Sequence, residues 1–428
     1  MTSLREWERR PIGADGLSRA QADRLLAVAR ASPLGGEDGT RILVDGGRYL
    51  RAQNVVGVIS AEDCTLEILP KIDGIHSDIG VRRRLVHMLA VAHDLDIAAD
   101  RVAALGIQHE TLLEILIRLF TDQLIDAVRS GLPRRYVEQR DDLPALRGRL
   151  DVARQFTTFA ADATRLACRY DELSPDIALN RILKAAVTRL QRLARRAETQ
   201  RRLAELAFAY ADVEQVPRRD LPWERLSLDR TDSRWRPLVD FARLLLGDRF
   251  QTTSAGETQG TALLFDMGML FETYIARSLH RALRDTKLRV VAQGGLRYCL
   301  AELDENDRRG PERFQTRPDI LVKDGACVVM VIDTKWKRLA RNTEDRKRGV
   351  VQADIYQMMA YARLYASSRL TLLYPHHDEL GENEGMLRQY TVAAGVERLA
   401  IATIDLSDPT SVEMRLRSLV GSEVLPSP

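Results

Sequence analysis

Residues 316–336 read TRPDILVKDGACVVMVIDTKW, and this stretch decides the fold of the carboxyl-terminal part of the chain. The nearly continuous apolar run at 326–336 predicts a β-strand that is buried on both faces. Lys323-Asp324-Gly325 predicts a turn back to a preceding strand at 319–322. The stretch is therefore expected to form a β-hairpin.

The register of this hairpin determines which polar side chains share a face. Side chains alternate along a strand, so Asp333 and Lys335 project from the same face. A turn centred on Gly325 puts Asp319 opposite Val331 and on that face, roughly 7 Å from Asp333 along the strand. A turn displaced toward Asp324 puts Asp319 on the other face, unless an equivalent bulge compensates. The shared face is thus a geometric condition on the hairpin.

Two predicted helices add polar side chains. The first places Glu272 in an apolar stripe at 269–283, where an unpaired charge costs several kcal/mol when buried. The second, at 350–365, has a polar face with i, i+3 and i+4 spacing that is formed by Asp354, Gln357 and Tyr361. Both helices flank the hairpin in the sequence, so their polar residues are candidates for the same site.

The combined set predicts metal-dependent phosphodiester chemistry. Oxygen donors from Glu272, Asp319 and Asp333 suit Mg²⁺ or Mn²⁺, which keep several waters and accept phosphate oxygens. Such an ion activates a bound water and stabilises charge on the phosphorane oxygens. Lys335 is the expected catalytic lysine, and Gln357 and Tyr361 are expected to position that lysine or the DNA backbone.

A basic run follows the predicted strand. It predicts contacts with DNA phosphates, which make binding salt-dependent, through Lys337, Arg338, Arg341 and Lys347. The alternative is a solvated loop, because Glu344 and Asp345 interrupt the run.

The ordered motifs resemble the PD-(D/E)xK nuclease superfamily and, through Gln357-x-x-x-Tyr361, its RecB-like branch. More narrowly, the chain is similar to the McrC-like family of the McrBC modification-dependent restriction systems. That similarity is carried by FDMGMLFETYIARSL (265–279), TRPDILV (316–322), VIDTKWK (331–337), DIYQMMAYA (354–362), LEILPKI (66–72), GRLD (148–151) and CRYDELSPDIALNRILKAAV (168–187). It covers most of the chain.

This resemblance implies a cytoplasmic DNA endonuclease subunit that acts on double-stranded DNA. The implied partner is a McrB-like hexameric AAA+ motor that uses GTP, recognises methylated DNA and is stimulated by the subunit. The chain has no G-x-x-x-x-G-K-[ST] loop, so no nucleotide is expected to bind to it. Two alternatives stay open: a non-cleaving activator of the motor with a vestigial site, and a standalone RecB-like repair nuclease.

The 428 residues suffice for two or three domains, and an α+β multidomain fold is expected. The predicted parts are a β-rich, partner-docking domain at 1–110, a mainly helical region at 111–255, and an α/β PD-(D/E)xK nuclease domain with a mixed central sheet at 256–428. In the first part we expect strands at 41–44, 54–59 and 65–69 and one helix at 81–93. A linker is expected at 252–260.

Composition adds little to these expectations. The net charge of +3 does not identify a partner. Four scattered cysteines indicate reduced core residues of a cytosolic protein. No apolar run has the length needed to cross a membrane, so no membrane partner is expected.

Overall fold

The fold is taken from a computed structural model. It describes residues 2–13, 16–97, 110–159, 162, 164–230, 232–247, 250–255, 258–340, 349–381, 383–393 and 395–424. The chain forms two compact units. One contains Met1–Leu113 together with Asp248–Pro428, and the other is Glu114–Gly247. The predicted division at 110 and 255 stays a prediction.

Helices and strands alternate irregularly along the chain. The helices are α1 (Arg19–Ala31), α2 (Asp78–Ala92), α3 (Leu112–Val128), α4 (Val152–Thr158), α5 (Ala178–Gln191), α6 (Ala197–Ala209), α7 (Arg236–Leu246), α8 (Met267–Ala282), α9 (Gln352–Tyr365) and α10 (Val412–Val424). Short 3-10 turns lie at Pro33–Gly35, Arg218–Asp220, Trp223–Arg225, Ser233–Trp235 and Asp378–Leu380. The strands are β1 (Thr2–Arg5), β2 (Arg9–Pro11), β3 (Leu43–Asp45), β4 (Tyr49–Ala52), β5 (Val55–Ala61), β6 (Cys64–Leu69), β7 (Arg135–Leu143), β8 (Arg149–Leu150), β9 (Leu166–Ser174), β10 (Phe250–Ala255), β11 (Thr258–Asp266), β12 (Leu288–Ala292), β13 (Arg297–Leu303), β14 (Arg309–Thr316), β15 (Ile320–Asp324), β16 (Cys327–Thr334), β17 (Arg369–Pro375), β18 (Gly385–Thr391) and β19 (Arg398–Ile404). A mixed α+β architecture is confirmed.

The first unit is built partly on a sheet with the strand order β1-β6-β5-β11-β10. Its middle strands approach closely: a Cβ at Gly57, which has φ +135°, would lie 1.9 Å from the carbonyl oxygen of Leu263. The linker expected at 252–260 is wrong, because β10 and β11 pair with each other there and β11 pairs with β5. Pairing with a distant strand overrides the polar composition of this segment.

The amino-terminal elements follow the expectation with one omission. Strands β3, β5 and β6 and helix α2 confirm the predicted elements within a few residues. A single helix in this region is wrong, because α1 precedes them. Ser18 caps α1 by accepting a hydrogen bond from the Gln21 backbone, and the Gln21 side chain accepts one from the Ser18 backbone. This capping box is a sequence signal for the helix.

A second sheet of the first unit contains the hairpin. Its order, within the described residues, is β12-β15-β16-β17-β19-β18. The pairs β16–β17 and β17–β19 are parallel and the others antiparallel, so the sheet is mixed. Residues Met330 to Thr334 are all buried, which confirms the expected two-sided burial for this part of β16, whereas Cys327 is exposed and Val328 and Val329 are half-buried. Helix α9 packs Met358 and Tyr361 into a cluster with Val331 on one of the faces.

The hairpin turn differs from the expected one. Asp324 pairs with Cys327, so Gly325 and Ala326 form a two-residue turn, and a turn centred on Gly325 alone is wrong. Beyond Lys323, which pairs with Val328, the register shifts by one residue.

The register shift restores the required face. Val329 is the extra residue, since Met330 pairs with Val322 and Val331 pairs with Leu321. A turn centred on Gly325 would pair Asp319 with Val331, but Val331 pairs with Leu321 instead. Continuing the register past Ile320 and Ile332 sets Asp319 opposite Asp333, and opposed residues share a face. Asp319 and Asp333 therefore share a face because the β-bulge at Val329 shifts the register.

The second unit, Glu114–Gly247, combines helices with a small sheet. Phe120 and Phe241 meet edge to face, with centroids 5.5 Å apart. The amphipathic stretch at 179–208 forms the consecutive helices α5 and α6. The prediction of a mainly helical middle region missed a three-stranded sheet, in which the strand order is β7-β9-β8. β7 alternates exposed and half-buried residues, as a one-sided strand does.

Burial of the cysteines differs from the expectation. Cys64 and Cys168 are buried, whereas Cys299 and Cys327 are exposed, and all four are free thiols. Among the helices that the structure describes, none is long and apolar enough to span a membrane.

Helix α2 packs against α8, and its His87 faces Tyr274 at a ring separation of 6.1 Å. Burial, and then the positive charges of Arg84 and Arg281, lower the pKa of His87 to about 4. The unfolded chain then binds a proton that the folded chain excludes. The stabilisation that depends on a neutral His87 is therefore complete above about pH 6.5 and is lost as the pH falls toward 4.

We therefore expect acidification to destabilise the chain through His87. Between about pH 7 and about pH 5, the free energy of unfolding should fall more for the wild type than for His87→Gln. Urea unfolding at the two pH values measures both changes. Equal losses in the two proteins would contradict this account.

Candidate functional site

The carboxyl end of β16 places Asp333 and Lys335 next to each other. Asp333 is only 1% exposed, and the Lys335 Nζ atom lies 2.6 Å from its Oδ2 atom. The Lys335 backbone donates a hydrogen bond to the carbonyl of Leu373 in β17, at 2.9 Å. The strand end is thus fixed to its parallel neighbour, and the two charges form a mostly buried ion pair.

Asp319 reaches the same strand end from β15. Its Oδ2 atom accepts hydrogen bonds from the backbone nitrogen of Thr334 at 2.7 Å and from the Thr334 hydroxyl at 2.9 Å. The negative charge of Asp319 also acts on Asp333. The structure therefore brings together both aspartates of the sequence motif.

Glu272 approaches from α8 and is half-buried. Its Oε1 atom accepts a 2.7 Å hydrogen bond from Gln293 Nε2, and the Gln293 backbone donates to the carbonyl of Asp319 at 2.8 Å. Met269, expected beside it in an apolar stripe, is 46% exposed, so Glu272 lies at the edge of that stripe.

Helix α9 supplies a chain of hydrogen bonds to the lysine. Lys335 Nζ donates to Gln357 Oε1 at 3.4 Å, and Gln357 Nε2 donates to the Tyr361 hydroxyl at 2.7 Å. Tyr361 in turn donates to the carbonyl of Arg317 at 3.4 Å. Gln357 was expected to position either the lysine or the DNA backbone, and in the structure it contacts the lysine.

The carboxylates of the site repel one another. Burial, and then the charge of Asp319, raise the pKa of Asp333 to about 6. Burial also raises the pKa of Asp319, against the Thr334 hydrogen bonds, and burial with Asp319 raises that of Glu272. Burial is the largest single influence on the pKa of Lys335 and lowers it, but the charges of Asp333, Asp354 and Asp319 together outweigh burial, and the net change is upward.

Asp333 is the member of this site whose oxygens a cation would satisfy. Both carboxylate oxygens of Asp333 are buried without a hydrogen-bond donor of suitable geometry, although Lys335 forms an ion pair with one of them. Together with the raised pKa values, this donor set fits a hard divalent cation. Yet no three carboxylate, histidine or cysteine side chains among the described residues are arranged to hold a metal. The buried Asp333 oxygens that lack a donor nevertheless leave this site able to hold such an ion.

Comparison with known proteins identifies the family. Residues 50–375 match the family model described as "McrBC 5-methylcytosine restriction system component". The chain belongs to this family. No curated protein sequence matches the chain.

Two solved structures resemble this McrBC-family chain. One is the refined half-complex from the tetradecameric assembly of Thermococcus gammatolerans McrB AAA+ hexamers with bound McrC. It has a TM-score of 0.72 at 20% identity and covers 98% of this chain and 99% of that chain. The other is the cryo-EM structure of the Thermococcus gammatolerans McrBC complex, with a TM-score of 0.54 at 24% identity over 66% of this chain and 87% of that chain. At these identities the likeness shows a shared fold.

The predicted DNA-contacting residues of the McrBC-family chain have other partners where the structure describes them. Lys337 Nζ lies 3.7 Å from Asp354, and Arg338 pairs with Asp73 and, at 3.4 Å, with Glu379. Arg341 and Lys347 lie outside the described residues. Phosphate contacts by these four residues stay a prediction.

The sequence analysis gave Asp354 no specific role in the site and missed Gln293. Asp354 is 8% exposed and lies 3.7 Å from Lys335, so the ammonium is placed between two aspartates. Its position on the face of Gln357 was a usable signal. Gln293 contacts Glu272 and Arg317 from a backbone with φ +48°. In the sequence, the turn signal of Gly294 and Gly295, which directly follow Gln293, is the one hint of this geometry.

Proposed function

We propose that the chain is a metal-dependent DNA endonuclease subunit of a McrBC-type modification-dependent restriction system. The observation that carries the proposal is the meeting of Glu272, Asp319 and Asp333 with Lys335 at the end of β16. In a chain of the McrBC family, that set is typical of a PD-(D/E)xK nuclease site. The proposed reaction is hydrolysis of DNA phosphodiester bonds.

In this mechanism Glu272, Asp319 and Asp333 would hold Mg²⁺ or Mn²⁺, and such an ion would supply a water of lowered pKa and positive charge next to the scissile phosphate. Lys335 would orient the attacking water and add positive charge near the phosphate oxygens. The raised pKa of Lys335 keeps the ammonium charged, which favours electrostatic stabilisation over proton abstraction by its free amine.

The remaining polar residues position the lysine. Gln357 accepts from Lys335, and Asp354, which lies about one turn earlier on α9, attracts the same ammonium. Tyr361 orients the Gln357 amide and is itself tied to the Arg317 carbonyl. These contacts limit the rotamers of a long flexible side chain, which favours one reactive geometry.

We further propose a GTP-dependent AAA+ motor as the partner. The similar Thermococcus gammatolerans structures hold McrC with McrB AAA+ hexamers. The chain itself has no phosphate-binding loop, so nucleotide hydrolysis falls to that partner. In this arrangement the chain cuts DNA and stimulates the motor.

One observation favours a second function, that of a non-cleaving activator with a vestigial site. The carboxylates of the site are engaged by Lys335, Thr334 and Gln293, and no ready-made metal cluster is found among the described residues. An activator needs the fold and the partner surface but not the metal.

A single assay separates the proposals. The full chain is combined with a McrB-type AAA+ GTPase, and cleavage of DNA with and without 5-methylcytosine is measured with GTP in Mg²⁺ or in EDTA. We expect cleavage of modified DNA only with motor, GTP and Mg²⁺. Stimulated GTP hydrolysis without any cleavage favours the activator, and cleavage of unmodified DNA by the chain alone favours a standalone nuclease.

A further inference from the structure

Trp336, the residue after the proposed catalytic lysine, is bound by a residue from the start of the chain. Its indole Nε1 atom lies 2.9 Å from each carboxylate oxygen of Glu6 and donates to them. Glu6 directly follows β1, and 330 residues separate the two partners in sequence. The end of β16 is therefore connected to the amino-terminal sheet through one side chain.

Glu6 is held in place by a second contact and by burial. Its Oε1 atom accepts a 2.8 Å hydrogen bond from the backbone nitrogen of Lys71, just beyond β6, and the residue is 2% exposed. Burial raises the pKa of Glu6 to about 7. A buried carboxyl group is costly unless its acceptors are used, and these contacts use both oxygens.

The indole also touches the helix that carries Glu272. The rings of Trp336 and Phe271 are 5.3 Å apart at an interplanar angle of 59°, and Phe271 is fully buried. Trp336 is thus fixed on one side by Glu6 and on another by α8. Because Lys335 and Glu272 are each adjacent in sequence to one of these rings, the contact sets the distance between two members of the site.

We propose that Glu6 is a positioning residue for the nuclease site, which acts through Trp336 to hold Lys335 and Glu272 in register. This inference rests on the proposed function. The side-chain hydrogen bonds of Glu6 are with Trp336 and the Lys71 backbone and not with Lys335, so its effect is on geometry and not on the chemistry itself. Displacing a reacting group by about 1 Å costs on the order of 100-fold in rate.

The test compares four variants of the full chain with its AAA+ partner. Glu6→Ala removes both acceptors, and Glu6→Gln retains one acceptor with nearly the same shape. Trp336→Phe keeps a ring against Phe271 but removes the donor. Glu8→Gln is the matched control, because Glu8 is an exposed carboxylate two residues away on the same segment.

The rate of single-turnover cleavage should fall at least about tenfold in Glu6→Ala and in Trp336→Phe, with the half-saturating DNA concentration unchanged. The double variant should be no slower than either single variant, because both remove the same contact. Glu6→Gln should recover most of the rate, and Glu8→Gln should match the wild type. Multiplicative losses, or a change in half-saturation alone, would overturn the proposal.

A second readout does not depend on cleavage. The lysines are labelled as ¹³C-dimethyl derivatives in a separate sample, and the Lys335 signal is identified by its loss in Lys335→Arg. We expect Glu6→Ala and Trp336→Phe to shift this signal alike and Glu8→Gln to leave it in place. An unmoved Lys335 signal refutes the positioning role even if the wild type cuts DNA. A moved signal in a chain that never cuts supports the positioning role and refutes the nuclease function instead.

Discussion

Asp333→Ala is expected to abolish metal-dependent DNA cleavage while the chain still folds and still stimulates its partner. Loss of this buried carboxylate removes the proposed metal ligand that lies closest to Lys335. We expect the cleavage rate to fall by about 10³-fold or more, since one preorganised electrostatic group contributes a few kcal/mol to the transition state. Cleavage of modified DNA with motor, GTP and Mg²⁺ measures the effect.

Folding should survive this change because Lys335 keeps Asp354 and Gln357 as partners when Asp333 is removed. Burial and the charge of Asp319 raise the pKa of Asp333, so removing this carboxylate also relieves repulsion. Asp324→Ala is a matched control on the same hairpin, where Asp324 pairs with Lys287 at the surface. The control should cut like the wild type. Retained cleavage by pure Asp333→Ala protein would sink the assignment of the site.

Glu67→Ala is expected to lower the free energy of unfolding far more than loss of an exposed ion pair does. Glu67 is fully buried in β6 and binds Arg82 through Oε2 at 2.6 and 2.8 Å, while its Oε1 atom accepts from the Leu112 backbone at 2.8 Å. Removing it leaves the guanidinium of Arg82, which is 4% exposed, without this partner. Truncating one side of such a buried pair costs about 3–5 kcal/mol.

Denaturant unfolding at neutral pH measures that loss. Asp23→Ala provides the comparison, because it breaks an exposed i, i+4 pair with Arg19 on α1 and should cost at most about 0.5 kcal/mol. The double variant Glu67→Leu/Arg82→Met should recover much of the stability, since an apolar pair of similar volume replaces the ions. Similar losses in Glu67→Ala and Asp23→Ala would contradict a buried ion pair.

Side chains of the candidate site that lie close in the sequence could be paired from their spacing alone. Alternation along β16 predicts that Asp333 and Lys335 lie together, and helical periodicity predicts that Gln357 and Tyr361 do. Both pairs are adjacent in the structure. The positions of β5, β6 and α2 were predicted for the same reason, since each is a continuous apolar or amphipathic run.

Contacts between distant segments could not be predicted from the sequence. The pairing of β11 with β5 and the bond from Trp336 to Glu6 have no signature in local composition. The same holds for the ion pair of Arg338 with Asp73, since its place in a basic run gives no sign of an acidic partner 265 residues away in the sequence. The partners of such residues are determined by tertiary context and not by local propensity.

The extra residue Val329 has a consequence for how this hairpin can vary among relatives. A two-residue turn alone places Asp319 opposite Ile332, and the bulge moves it opposite Asp333. The number of residues between the two aspartates is therefore constrained by parity. Homologues should gain or lose residues here in pairs, or should exchange the bulge for a turn with one residue more, and an alignment gap of a single position marks a chain in which the two carboxylates no longer share a face.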